Sequence, residues 1–269
     1  MKYSIITINY NNCNGLRQTI ESVEALDHTD YEFIVIDGGS NDGSVKVIKE
    51  HSTSITYWIS EPDKGIYNAM NKGIRHAHGE YVNFMNSGDT FYSPDVLNKV
   101  ESQLDNYDIV IGKEFHQDPI TGATATTFLP SRISMITFVV SYLPHQSGFI
   151  RRSLFDTMPY DESLRIVGDW KFYMMQVAFM DRKIKLIDTI VSRREQGGVS
   201  NSNSCLNSQE REKVLKDLLP PGVLSDYHSL SQLDKTTLYK LLNLCEKEKP
   251  RKYLIYCIKI INRLKNYLR

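Results

Sequence analysis

Apolar and polar positions alternate in blocks along the first third of the chain. Tyr3 to Asn9 (Tyr-Ser-Ile-Ile-Thr-Ile-Asn) is a short β-branched run ending on polar residues, the pattern of a strand buried on both faces. Leu16, Ile20, Val23 and Leu26 then recur at helical spacing. Tyr31 to Asp37 predicts a second strand that stops at an acid, followed by a turn over Gly38 to Gly43 and a helix from Val45 to Glu50. Thr56 to Ser60 is a third strand candidate. Ile66, Met70, Ile74 and Ala77 form one face of a helix beginning near Asp63. Glu80 to Met85 predicts a fourth strand, which runs into the stretch Asn83 to Phe91, NFMNSGDTF. Strand alternating with helix in this way predicts a mainly parallel central sheet, with right-handed crossovers and flanking helices.

The second half is less regular. Asp108 to Gly112 and Lys185 to Val191 read as strands, and Trp170 to Met180 as a helix with an aromatic and Met face. Phe138 to Leu143 is apolar but does not distinguish helix from strand. Gln196 to Ser204 is small, polar and glycine-containing, so it reads as a loop over a site or a linker. Helical patterns return from about residue 206. These features divide the chain into an α/β domain over residues 1–205 and a helical C-terminal extension over 206–269.

That extension ends distinctively: Glu246 to Arg269 holds eight Lys/Arg against two Glu. Leu254, Cys257, Ile258, Ile261, Leu264 and Leu268 recur on one helical face. Two readings are open, a helix packed on the body or one lying on an anionic membrane surface. Elsewhere charge is uninformative. Lys plus Arg equals Asp plus Glu, so no global field recruits nucleic acid. No apolar run approaches the roughly 20 residues that span a bilayer. The N-terminus turns polar too soon for a secretory signal, and the four cysteines are scattered without zinc-ligand spacing. A cytoplasmic protein is the expectation.

Topology then says where chemistry belongs. In open α/β sheets, ligands bind outside the carboxyl ends of the strands. Each predicted strand here ends in polar groups: Thr7 and Asn9, then Asp37, then Glu61 and Asp63, then Asn86 and Asp89. Any one of these is ordinarily a cap or turn residue; four in succession at one edge predict a cleft. The run Asp37 to Gly43 is neither the dinucleotide fingerprint nor a P-loop, which disfavours dehydrogenase and P-loop kinase chemistry. Asp37 is placed to accept hydrogen bonds from a base or ribose, and Asp89 to hold Mg²⁺ or Mn²⁺ against a diphosphate.

The segments SIITINYNN, IDGGSNDGS, SEPDKGIYNAMNKGI, NFMNSGDTF and GDWKF, in this order, resemble glycosyltransferase family 2. The likeness spans roughly residues 1 to 200. It implies the GT-A fold and an inverting transferase of polysaccharide assembly, using a nucleoside-diphosphate sugar and a divalent cation. Carried onto this chain, it assigns Thr7, Asn9, Tyr10, Asp37, Asp63, Lys64 and Asn71 to the nucleotide, with UDP favoured. Asp89 matches the last member of the family's D-x-D metal motif, and Ser87 stands where its first Asp would be; Ser87 and Gly88 then face the nucleotide sugar. Weak metal binding without donor is the expectation. Asp169 matches the catalytic base, His145 a segment near the acceptor, and Gly197 and Gly198 a loop near the diphosphate. The acceptor implied is a glycan or lipid-linked sugar, for which the basic tail would offer a membrane contact. Two other functions fit parts of the pattern: a catalytically silent nucleotide-sugar sensor or scaffold, which Asp169 argues against, and a nucleotidyltransferase. The latter requires a basic N-terminal loop, and Thr7 to Asn14 has no basic residue.

Overall fold

The computed structural model describes residues 1–118, 121–130, 133–140, 142–194 and 203–232. The strands among them are β1 (Tyr3–Asn9), β2 (Tyr31–Asp37), β3 (Tyr57–Ser60), β4 (Tyr81–Phe84), β5 (Thr90–Phe91), β6 (Ile109–Gln117), β7 (Thr124–Thr126), β8 (Gly148–Arg151) and β9 (Ile184–Arg193). They form one sheet in the order β3-β2-β1-β4-β8-β6-β9-β5, with β7 paired to β6. β1 to β4 run parallel, as the alternating pattern requires. β1 and β4 are buried along their whole length, so their apolar runs do not alternate.

The parallel register is what builds a site. Asn9 pairs with Asp37 and Asp37 with Ser60, so three polar strand ends stand side by side at one edge. Between these strands run α1 (Cys13–Glu24), α2 (Ser44–Glu50) and α3 (Ile66–His76). α1 starts where the Asn12 side chain accepts from the Gly15 N–H at 3.1 Å. α3 begins three residues later than its apolar face suggested, because Gly65 (φ +129°) carries the chain into it. Gly73 lets α3 lie against β1: a Cβ there would sit 2.5 Å from Ile6 Cγ2.

Two apolar layers flank the sheet. One joins α1, α2 and α4 (Val96–Glu101) through Leu16, Ile20, Val47 and Leu97. The other joins α3, through Met70 and Ile74, to α7 (Gly168–Met174), through Trp170 and Phe172. Between α4 and α7 lie two short helices, α5 (Met135–Val140) and α6 (Leu154–Thr157). The apolar segment from Phe138 is therefore helical as far as Val140. The helix expected from Trp170 to Met180 begins at Gly168 and continues past Met174 as a π-helical turn over Met175–Phe179.

Sequence periodicity missed β8, which enters antiparallel between β4 and β6. Only four residues long and buried on both faces, with Phe149 in one apolar layer and Ile150 in the other, it gives too little pattern to read. The first part of the C-terminal extension, α8 (Ser204–Leu218) and α9 (Pro221–Ser231), packs on the body: Val214, Leu215, Leu219 and Tyr227 join the same apolar layer as Trp170. The basic tail, with Cys245 and Cys257, lies outside the described residues. Among the described residues no helix is long and apolar enough to cross a membrane.

Candidate active site

A cleft of about 1030 Å³ opens at the carboxyl edge of the parallel strands. Tyr10, Gly38 and Asp63 line one end, Asn86, Ser87 and Asp89 its middle, and His145 and Asp169 the far wall, next to α7.

At the first end, the polar row made by strand register is already internally bonded. Asp37 is wholly buried and accepts from Asn9 Nδ2 at 2.7 Å, Ser40 Oγ at 2.6 Å, the Ser40 N–H at 2.9 Å and Ser60 Oγ at 2.5 Å. Burial alone would raise this carboxyl, but the bonds from Ser40, Ser60 and Asn9 outweigh it and hold it below the usual carboxylate range. A carboxylate has about four acceptor positions, and here all four are used. Asp37 therefore braces the rim, while Asn9 and Tyr10 face the cleft; Tyr10 is 69% exposed. Asp63 pairs with Lys72 at 2.6 Å and lies against Gly38, where a Cβ would come 3.1 Å from both Asp63 Oδ2 and Tyr10 Cδ2.

Besides Asp37, three of the expected nucleotide residues point elsewhere. Thr7 is buried and donates to the Met85 carbonyl at 2.7 Å, tying β1 to the end of β4. Asn71 is spent on the chain before α7: its Nδ2 donates to Tyr160 O and Glu162 Oε1, both at 2.9 Å, and its Oδ1 accepts from the Tyr160 N–H at 3.0 Å. Lys64 is exposed outside the cleft, its backbone N–H held by Asn68.

The turn from Asn86 to Asp89 is fixed from α1. Gly88 takes φ +100°, a conformation glycine adopts without strain, and its N–H is held by Thr19 Oγ1 at 3.0 Å. Gly88 thus shapes the turn and does not line the cleft. The Ser87 hydroxyl lines it while donating to Asn12 O at 3.2 Å. Asp89 lines the cleft at 6% exposure, and among the described residues no cluster of three acidic, His or Cys side chains surrounds it. One carboxylate beside a serine hydroxyl is a hard, incomplete oxygen set. It fits a Mg²⁺ or Mn²⁺ ion that takes its remaining ligands from a diphosphate and water.

Asp169 sits in the first turn of α7, where a negative charge suits the helix N-terminus. Tyr67 of α3 donates its hydroxyl to Asp169 Oδ1 at 2.8 Å, and His145 Nδ1 lies 3.3 Å from Oδ2. Burial would raise this carboxyl; hydrogen bonds from His145 and Tyr67 reverse that and hold it ionised. Each oxygen keeps acceptor capacity for an incoming hydroxyl. His145 responds in the opposite sense: burial would lower its pKa, but Asp169, with help from Asp89 and Glu114, raises it. Its Nε2 lies 3.0 Å from the Asn86 amide nitrogen, and Asn86 Oδ1 is buried without a partner. Turning that amide gives Nε2–H an acceptor, so Asn86 accommodates both the neutral and the charged ring.

Sequence reading missed the groups that frame this wall. Glu210 of α8 accepts the N–H groups of Arg165, Ile166 and Val167 at 2.7, 2.9 and 3.3 Å, clamping the turn that leads into α7. Asn207 and Arg211, also from α8, line the cleft with Arg165. Glu114 of β6 is wholly buried, with Arg194 Nε 3.7 Å and His116 Nε2 3.1 Å from Oε1, yet neither of its oxygens has a hydrogen bond. Burial pushes it up to about 7; Arg194 opposes this and the nearby Asp89 adds to it. Gly197 and Gly198 lie outside the described residues.

Comparison with known proteins places the chain by family and by fold. The model of glycosyl transferase family 2 matches residues 4–157. A protein of Mycobacterium tuberculosis (strain H37Rv), described as an uncharacterized glycosyltransferase, is 36% identical over 176 residues, covering 64% of this chain and 67% of that one. A PGL/p-HBAD biosynthesis glycosyltransferase of Mycobacterium bovis BCG is 27% identical over 210 residues, covering 74% and 79%. Among solved structures, Staphylococcus aureus TarS 1–349 in complex with UDP-GlcNAc superposes with a TM-score of 0.66 at 16% identity, covering 88% of this chain and 69% of that one. The mannosyltransferase PcManGT from Pyrobaculum calidifontis, in complex with GDP-Man and Mn²⁺, gives 0.64 at 14% identity, covering 96% and 80%. The shared architecture is the GT-A fold.

Proposed function

As the chain belongs to glycosyl transferase family 2, we propose that it is an inverting transferase moving a sugar from a nucleoside-diphosphate donor to a hydroxyl of a glycan or lipid-linked acceptor. The observation that carries this reading is Asp169, held as a carboxylate by Tyr67 and His145 on the cleft wall opposite the nucleotide end. The acceptor hydroxyl hydrogen-bonds to Asp169 and attacks the anomeric carbon as the bond from that carbon to the diphosphate oxygen breaks. Its proton passes to Asp169, and the nucleoside diphosphate leaves with the electron pair. A single displacement from the opposite face inverts the anomeric centre; the oxocarbenium-like transition state calls for one base only. A divalent cation, when bound, supplies positive charge to the leaving diphosphate, with Asp89 and the Ser87 hydroxyl as its protein-side oxygens.

Tyr10 offers an exposed ring to the base beside Asn9 and Asp63. UDP is the favoured donor nucleotide, in keeping with the UDP-GlcNAc complex of the TarS neighbour. The name of the Mycobacterium bovis relative, a PGL/p-HBAD biosynthesis glycosyltransferase, supports a biosynthetic role. Residues 1–205 then form the donor domain, and α8 and α9 belong to the acceptor side.

The test is Asp169→Asn, assayed for transfer and for UDP binding by thermal shift with Mn²⁺. Transfer is expected to fall at least about a hundredfold, the contribution of a positioned general base, with UDP binding retained. Normal turnover by the variant overturns the assignment. Wild-type protein that binds UDP with Mn²⁺ but transfers to no hydroxyl acceptor would instead support a nucleotide-sugar sensor.

A further inference from the structure

Arg211 poses an electrostatic problem that the proposed chemistry does not use. Its guanidinium lies 4.7 Å from the centroid of the Trp170 ring and close to the Tyr227 hydroxyl. Its Nε–H is buried without an acceptor. Burial dominates its environment and lowers its pKa, while the one carboxylate whose charge reaches it is Asp169. That carboxylate is already engaged by Tyr67 and His145. No acidic side chain among the described residues forms an ion pair with Arg211 or with the exposed Arg165. A partly desolvated cation without a counter-anion is costly, and the cost is recovered where a ligand supplies the anion.

Position decides which ligand. Asn207 and Arg211 stand four residues apart on one face of α8, and both line the cleft, as does Arg165, whose N–H is held by Glu210 of the same helix. The nucleotide end lies at the rim braced by Asp37, whereas Arg211 neighbours Asp169, on the side from which a hydroxyl must approach. Two guanidinium forks and an amide are donors only or donor-rich, the set that recognises an oxyanion in preference to a neutral sugar.

We propose that Arg211, Arg165 and Asn207 form an acceptor subsite for an oxyanion, a phosphate or carboxylate carried by the acceptor close to the hydroxyl that is glycosylated. This rests on the transferase reading above and narrows its acceptor to an anionic one.

The test uses the full chain saturated with UDP and Mn²⁺, titrated calorimetrically with phenyl phosphate and separately with benzoate. These probes share a neutral ring and differ in the oxyanion, so they distinguish the two sources of negative charge. At least one is expected to bind. Its affinity should fall about tenfold or more in Arg211→Gln, the fold-change of one charge-assisted hydrogen bond, and by a smaller factor in Arg165→Gln. Arg211→Lys, which keeps the charge and loses the fork, should fall between wild type and Arg211→Gln. UDP affinity, measured first on the same samples, should be unchanged in all three variants. Binding of neither probe, or equal binding by wild type and variants, overturns the subsite. Loss of UDP affinity in Arg211→Gln also overturns it, by giving the arginine to the donor. Failure of wild type to bind UDP would fall on the transferase reading instead. If Arg211→Gln does not fold, the exposed Arg165→Gln decides.

Discussion

Replacing Glu114 by Gln should make stability less dependent on pH, so that the variant gains on the wild type as pH rises. The wild-type carboxyl is wholly buried, has no hydrogen bond to either oxygen, and is pushed from 4.5 up to about 7 by burial. A folded-state pKa above the unfolded one means that folding holds the proton. The associated stability is complete below the unfolded value and is lost as pH rises through about 7. At 1.36 kcal/mol per pH unit, the whole displacement is worth about 3 kcal/mol. Between about pH 5.5 and about pH 8.5 the linkage relation leaves about 2 kcal/mol of that to be lost. The amide of Glu114→Gln does not titrate, so the variant should not lose it. The groups facing this side chain (Arg194, His116, Asp89 and His145) are common to both proteins, and any packing cost of the amide cancels when the two pH values are compared. The assay is urea unfolding of both proteins at each pH, read as the change with pH in their stability difference; in melting temperature it amounts to about 4–8 °C for a chain of this size. Parallel loss of stability in the two proteins between those pH values would refute the reasoning.

Four further outcomes follow from the site. Asp89→Ala should abolish the additional thermal shift that Mn²⁺ gives with UDP, while the fold, read by melting without ligand, stays close to wild type. His145→Gln should flatten the pH dependence of stability in the near-neutral range: the raised imidazole pKa contributes stability that is complete below the ordinary His value and lost as pH climbs through the folded one. Gly38→Ala places a Cβ 3.1 Å from Tyr10 and Asp63, so the exposed Tyr10 ring must yield; UDP affinity should drop several-fold, measured by titration, with little change in unfolding midpoint. Glu210→Ala leaves the N–H groups of Arg165, Ile166 and Val167 without their acceptor; at about 1–3 kcal/mol for each buried unpaired group, chemical denaturation should detect the loss, and transfer should fall with it.

The carboxyl edge of the sheet, where the cleft opens, was legible because strand ends and helix starts leave local signatures. Asp37, Asp63 and Asp89 each follow an apolar run, and parallel register brings such ends together whatever lies between them. What local pattern cannot show is where a polar side chain spends its hydrogen bonds. Asn71 and Thr7 looked available for a nucleotide, but their partners are Tyr160, 89 residues away, and Met85, 78 residues away. Glu114 lies in the run Gly-Lys-Glu-Phe-His, which reads as half-solvated; its burial comes from being inside a sheet whose neighbouring strands arrive later in the chain. Glu210 and Arg211 sit in a helix whose charged residues suggest a solvated surface, and only tertiary packing turns one toward backbone amides and the other toward Trp170. The π-helical turn after Met174 left no signal in the spacing of apolar residues.

The clamp from Glu210 onto the turn before Asp169 also bears on how the protein is made. On a ribosome the chain emerges from its N-terminus, and β1 to β4 with α1 to α3 can pair and pack among themselves once residue 84 is out. Asp169 can be synthesised and still lack its final setting, because the amides beside it wait for a carboxylate that emerges up to 45 residues later. A nascent chain stalled between these points would already hold the carboxyl edge of the cleft, without the clamp on the turn that leads to Asp169. On the proposed function, the capacity to grip a donor thus precedes, during synthesis, the capacity to consume it.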